Sequence, residues 1–262
     1  MMQAPASGMS LSNAALAFLA ISADAGAKVQ IGLRFVHVVA GILWVGLLYF
    51  FTLVNLRFMR ELDPATRLRI YSRLMRPALG WFRWASVVTV LVGIWYWMMI
   101  VGEDKVSALA MGMTPNPGRA IGSFFAIWTV VSFVMIGIFM MGKLNRQGPL
   151  LAVVFAVLVA AAAWLYLSLN STGWESNRQL CIGIGGGLGW VMMNNVWGVL
   201  WRAQKRILRW MESAPNPADA VPPEIQKLML LSAVTARTNF WLTFPMLFFM
   251  VCASHYVLFL AR

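Results

Sequence analysis

Histidine is almost absent from this chain, with two residues in 262, His37 and His255. Acid is scarce too: Asp and Glu number nine, and 11% of residues are charged, against about a quarter in soluble domains. No acid falls within a long apolar run, which argues against proton-coupled transport through buried carboxylates. No Ser-His-Asp set, carboxylate pair or phosphate-binding loop can be assembled, so no catalytic residue is nominated by pattern. The two cysteines, Cys181 and Cys252, have neither metal-ligand spacing nor the numbers for a disulfide framework, and read as small buried hydrophobes.

What is present is apolar length. Sixty per cent of residues are hydrophobic, and several windows run about 20 residues with few charges, enough to cross roughly 30 Å of hydrocarbon as helix. Period-2 alternation is missing, so a β-barrel is not expected. The expected fold is all-α: a polytopic membrane bundle of six transmembrane helices, at about 31–55, 81–101, 120–141, 150–169, 180–201 and 239–260, forming a single membrane domain over 31–262. Residues 1–30 are expected to be an extracytoplasmic segment. Ala23-Asp24-Ala25 resembles a leader cleavage site, but no Lys or Arg precedes the short apolar stretch, and a surface helix is the preferred reading.

The net charge of +12 is topological and not a sign of nucleic acid. Most Lys and Arg fall in Leu56 to Gly80, Gly142 to Pro149 and Arg202 to Thr238, together with Arg83. The positive-inside rule then puts these loops in the cytoplasm and both termini outside, with the chain in contact with lipid. Within the first loop, Leu56, Met59, Leu68, Ile70, Leu74 and Met75 alternate with arginines, as in an interfacial helix. Asp63-Pro64 marks a turn that restarts a helix. The loop GEDKVSALAMGMTPNPG follows span two, the turn GKLNRQGP joins spans three and four as a hairpin, and span five is expected to continue as a basic helix through Arg209. Glu212 to Pro223 reads as a flexible loop and Glu224 to Val234 as an amphipathic lead-in to span six.

In this topology His37 lies about 9 Å below the outer boundary and His255 about 7 or 8 Å below it, at 1.5 Å per residue. Two imidazoles from facing helices can clamp a haem iron, so haem b held by His37 and His255 is one expectation. Gly41 and Trp44 share the His37 face and Ser254 adjoins His255, completing a cofactor-binding set. Copper is the rival, because Met246, Met250 and Cys252 lie near His255. The blander alternative is that each histidine bonds a neighbouring carbonyl. Arg83, Asn195, Arg237 and Asn239 form a second candidate set for an anionic or quinone headgroup, against snorkelling and helix capping as the ordinary roles. Gly183 to Gly189, GIGGGLG, lacks a preceding strand and is no dinucleotide fingerprint; its small-xxx-small spacing suits close helix packing.

RFVHVVAGILWVGLLYF, GWFRWASVVTVLVGI, NNVWGVLWRAQKRI and ARTNFWLTFPMLFFMVCASHY occur in this order. Together they resemble the urate oxidase N-terminal domain, the membrane part of bacterial membrane-bound urate oxidases. The resemblance extends over about Leu33 to Tyr256 and falls on His37, Gly41, Trp44, Gly46, Trp81, Phe82, Arg83 and Trp84, then on Asn195, Trp197, Gln204, Lys205, Arg237, Asn239, Pro245 and His255. It implies urate oxidation coupled to a cytochrome c domain. The sequence has no CxxCH, so a periplasmic cytochrome c or other redox subunit is expected as a separate partner, with an oligomer also open. Three functions therefore stand: a b-type haem electron carrier, a urate oxidase or hydroxylase of the family type, and a non-redox scaffold or transporter.

Overall fold

The computed structural model describes residues 11–213 and 221–259, and everything regular in it is helix. α1 covers Leu11–Tyr49 and passes through a π-helical turn at Phe50–Asn55 into α2, Leu56–Glu61. α3 covers Pro64–Ala110, α4 Pro117–Met141, α5 Gly148–Asn170 and α6 Asn177–Asn195. A second π-helical turn, Val196–Leu200, leads into α7, Trp201–Ser213, and α8 covers Pro223–His255.

Among the described residues four helices are long and apolar enough to cross a membrane: Ala25–Glu61, Pro64–Ala110, Pro117–Met141 and Gly148–Asn170. These contain the first four expected spans. The fifth and sixth are also helical, in α6 and α8, but carry more glycine and polar residues. The reason is packing. α6 contacts α3, α4, α5 and α8 and is buried from Gln179 to Asn195 with few gaps, so it need not be apolar on every face. The outer helices present Phe35, Ile42, Phe133, Val157, Trp164 and Phe248 to the exterior, as lipid-facing helices do.

Three boundaries differ from expectation. α1 crosses residue 30 without a break, so the region read as a separate surface helix continues into span one; Met1 to Ser10 lie outside the described residues. The arginine-rich segment and span two are one helix, α3, which carries Pro77 inside it and runs on to Ala110; only the end of the expected Gly102 to Gly118 loop is a turn. Span six ends at His255 and not near Leu260, because Tyr256 is extended and Asn177 captures the chain beyond it. The Asn177 amide donates to Tyr256 O at 2.8 Å, and its carbonyl accepts from Leu258 N at 2.9 Å and Phe259 N at 3.0 Å. Of the expected Glu212 to Pro223 loop, residues 214–220 lie outside the described residues.

The expected turns are built as their residues require. Asp63 caps α3, its carboxylate accepting from Ala65 N at 3.1 Å and Thr66 N at 3.0 Å with Pro64 in the first turn. Those amides, Thr66 foremost, hold the Asp63 carboxyl below its ordinary range. This contribution to stability is present above the unfolded carboxyl pKa and disappears as pH falls through the depressed one. Asn116 caps α4 through Arg119 N at 2.9 Å, and Gly142 takes the left-handed φ of 73° that closes α4 before the hairpin to α5.

The glycines of α6 set the packing. A methyl at Gly183 would collide with the Tyr166 ring and one at Gly187 with the Trp128 indole; both rings are fully buried, and the Trp128 indole N–H donates to Gly183 O at 3.1 Å. On the adjacent face, a Cβ at Gly185 would come within 3.1 Å of Met246 O on α8. We expect Gly187→Ala to cost about 1–3 kcal/mol or more through overpacking, whereas Gly122→Ala on α4, with nothing within 4 Å of its new Cβ, leaves the melt unchanged. Thermal unfolding in detergent measures both.

Candidate functional site

His37 sits on the wall of a cavity of about 420 Å³ formed by α1, α3, α4, α6 and α8. This is the size of an ordinary small-molecule or cofactor site. The wall is mostly apolar. Ile94, Trp97, Phe124 and Ile182 line it with Gly185, Gly186 and Gly189, while Arg34, Tyr96, Thr89 and Ser254 supply its polar groups.

The imidazole is held in one orientation. His37 Nδ1 is 2.8 Å from the carbonyl oxygen of Thr89, and because a carbonyl only accepts, Nδ1 carries the hydrogen. The ordinary alternative, a histidine bonded to a neighbouring carbonyl, is thus realised for Nδ1. In a neutral ring Nε2 keeps its lone pair, the arrangement found in metal-ligating histidines. α3 makes room for the ring with Gly93, where a Cβ would lie 2.7 Å from both Cε1 and Nδ1.

The other expected cofactor residues divide. Gly41, Trp44 and Ser254 line the cavity with His37. Trp44 is 1% exposed, and its indole nitrogen is buried with no hydrogen-bond partner. Ala253 and Ser254 reach the wall, but His255 does not line it and is exposed at the end of α8. Equal depth for His37 and His255 required helix through Leu260; the helix ends at His255 instead, and the residue lies outside the cavity lining. Met246 and Met250 do line the cavity, and Cys252 is buried outside the lining. Among the described residues no three His, Cys, Asp or Glu side chains cluster as a metal-binding group.

The second expected set is not gathered in one place. Asn195 and Asn239 meet, both fully buried, with the Asn195 amide donating to Asn239 Oδ1 at 2.9 Å and the Asn239 amide to Met192 O at 3.0 Å. They join α6 to α8 as interhelical polar contacts do in membranes. Arg83 instead lies against tryptophan rings, 3.9 Å from the centroid of Trp201 and 5.1 Å from that of Trp197. Arg237 is exposed and borders a different cavity.

That second cavity, of about 400 Å³, was missed from the sequence. It lies where the π-helical end of α1 meets the arginine-rich part of α3, α7 and the first half of α8. Across it runs a chain of hydrogen bonds from Tyr71 O–H to Gln204 Oε1 at 2.8 Å and from the Gln204 amide to Ser232 Oγ at 2.6 Å. The available sequence cue was Thr52 and Asn55, two polar residues closing an otherwise apolar run.

A helical membrane bundle with one histidine on the wall of an apolar cavity is the class of protein these features define. The chain belongs to the urate oxidase N-terminal family, whose model matches residues 64–262. The match covers α3 to the C-terminus and therefore Gly93, Met250 and His255; α1, with His37 and Trp44, precedes it. No curated protein and no solved structure matches the chain.

The Gly93 contact yields a test. Gly93→Ala is expected to drive the His37 ring from the Thr89 carbonyl, lower stability by about 1–3 kcal/mol and raise modification of His37 by diethylpyrocarbonate, followed by mass spectrometry. Gly102→Ala, which has open space around its Cβ, serves as the control.

Proposed function

We propose that this protein is the membrane component of a redox system, holding a planar prosthetic group of the haem b class in the His37 cavity. It would exchange electrons between the membrane pool and a periplasmic cytochrome c or similar subunit. One observation carries the reading: a single imidazole on an apolar cavity wall has Nδ1 fixed by Thr89 O at 2.8 Å, leaving Nε2 free to ligate. The donor set suits haem at that position. When bound, haem would supply one-electron redox chemistry. His37 provides a ligand nitrogen, Gly93 the clearance for its ring, Trp97, Phe124 and Ile182 a wall that excludes water, and Arg34 positive charge for anionic side groups.

The second ligand is the open position. Met250 already lines the cavity, and a His–Met pair is an established haem ligation. His255, the sequence-based choice, completes the pair only if the last turn of α8 rotates inward. Copper, with His37 and the two methionines, is the lesser alternative. The accompanying topology has six spans, α6 and α8 being the fifth and sixth, with both termini outside and the arginine-rich loops at the cytoplasmic face of an inner membrane.

Family membership favours a second reading, in which the assembly oxidises or hydroxylates urate and this chain relays the electrons. No residue is nominated as catalytic.

A reduced-minus-oxidised spectrum of the purified protein tests the proposal. The expected result is a low-spin b-type signal abolished by His37→Ala, with Met250→Leu and His255→Ala identifying the second ligand by which of them removes the low-spin form. Wild-type protein with no Soret band overturns the haem reading. Reduction of the chromophore on adding urate with a cytochrome c acceptor supports the urate reading; no reduction and no urate consumption removes it.

A further inference from the structure

The second cavity has the chemistry of a binding site that its own side chains leave incomplete. Asn55 is 6% exposed. Its amide nitrogen reaches only the thioether sulfur of Met75, at 3.6 Å, and its Oδ1 has no partner. Thr52 Oγ1 and Arg67 Nε, also on the wall, are likewise buried without partners. Three orphaned polar atoms in the lining of one cavity are costly, since a buried donor or acceptor without a partner gives up its hydration and gains nothing in return. Two of the three belong to the π-helical turn Phe50–Asn55, a distortion that recurs at functional sites.

These atoms constrain the ligand. Asn55 Oδ1 requires a donor, Arg67 Nε requires an acceptor, and Thr52 Oγ1 takes either. A phenolic hydroxyl does both. The remaining wall, with Phe51, Met59, Ile207 and Trp210, suits a flat ring carrying an apolar tail. We propose that this cavity binds the headgroup of a membrane hydroquinone, one ring hydroxyl donating to Asn55 Oδ1 and accepting from Arg67 Nε, with Thr52 Oγ1 hydrogen-bonded to the same headgroup. The site is independent of the prosthetic-group proposal, because it shares no lining residue with the His37 cavity.

The test is equilibrium binding of a short-tailed ubiquinol, kept reduced, to the full-length protein in nanodiscs. Retained quinol is quantified chromatographically, and urate and phosphatidylglycerol are offered as competitors. The expected result is stoichiometric binding, weakened about tenfold by Asn55→Leu and by the near-isosteric Thr52→Val. Neither competitor should displace the quinol, and lipid-facing Phe133→Ala should bind as wild type. Thermal melts identify any variant that has failed to fold, and Thr52→Val supplies the result should Asn55→Leu be one. Absence of binding, binding indifferent to folded variants, or displacement by urate or by the phospholipid each overturns the assignment. The assay needs no haem, so its failure is distinct from the absence of a Soret band.

Discussion

The fold depends on the near-absence of side chains along one helix. α6 contributes Gly183, Gly185, Gly187 and Gly189 to the centre of the bundle. In the space they leave, Tyr166 and Trp128 enter from α5 and α4 while the α8 backbone approaches from another side. Between lipid-embedded helices the hydrophobic effect gives little net attraction, because lipid is as apolar as a leucine surface; close packing and buried polar contacts must hold them. α6 has both, its glycines admitting the rings and Asn195 bonding Asn239 at 2.9 Å. The same lack of side chains leaves the smooth wall of the His37 cavity, so the packing device and the candidate site are one property of the sequence read from two directions.

The two cavities share two helices. α3 and α8 supply walls to both, α1 lines the first and the π-helical turn after it lines the second, and on α8 the step from Arg237 to Met246 corresponds to about 13 Å of rise. The intervening layer is closed by aromatic packing: Tyr49 lies 5.0 Å from Phe240 between centroids, Phe51 lies edge-on to Phe82 at 5.6 Å, and Tyr49 O–H and Thr243 Oγ1 are 2.8 Å apart. This layer separates a cavity among arginine-bearing segments from one bounded by the His37 turn and the end of α8. The proposed transfer of electrons from a membrane-borne donor to a prosthetic group would use these two compartments separately, since they share no lining residue.

Much of the helix architecture was legible. Apolar length located the first four segments, which lie in the helices long and apolar enough to cross a membrane among the described residues, Asp63-Pro64 marked the turn that restarts a helix, and the small-xxx-small spacing of α6 identified a packing face. What composition cannot give is rotation about an axis or contact between distant segments. Depth placed His255 level with His37, yet depth says nothing about where a helix stops, and the stop is set by Asn177, 78 residues earlier in the sequence, which takes three hydrogen bonds to 256–259. Arg83 and Arg237 looked equivalent by position; one is covered by tryptophan rings and the other borders a cavity, a distinction made by α7, whose placement no local pattern encodes. The site residues on α1 fared better because Gly41 and Trp44 follow His37 at helical spacing, and an ideal helix preserves that relationship.

The π-helical turns explain why the second cavity was the least legible feature. Hydrogen bonding of the i→i+5 type widens the turn and shifts the angular position of everything after it. Residues assigned to a face by a 3.6-residue period are therefore misassigned once Phe50–Asn55 is passed. In a regular helix the period would carry α1 forward unchanged into α2; here Thr52 and Asn55 both reach the cavity wall, with Oγ1 and Oδ1 left unpartnered. The chain keeps a distorted turn and three unsatisfied polar atoms at the point where α1 ends, α3 begins and α7 closes over them. A regular turn with leucine at these positions would incur neither cost, and the proposed ligand would offset both by completing the hydrogen bonds.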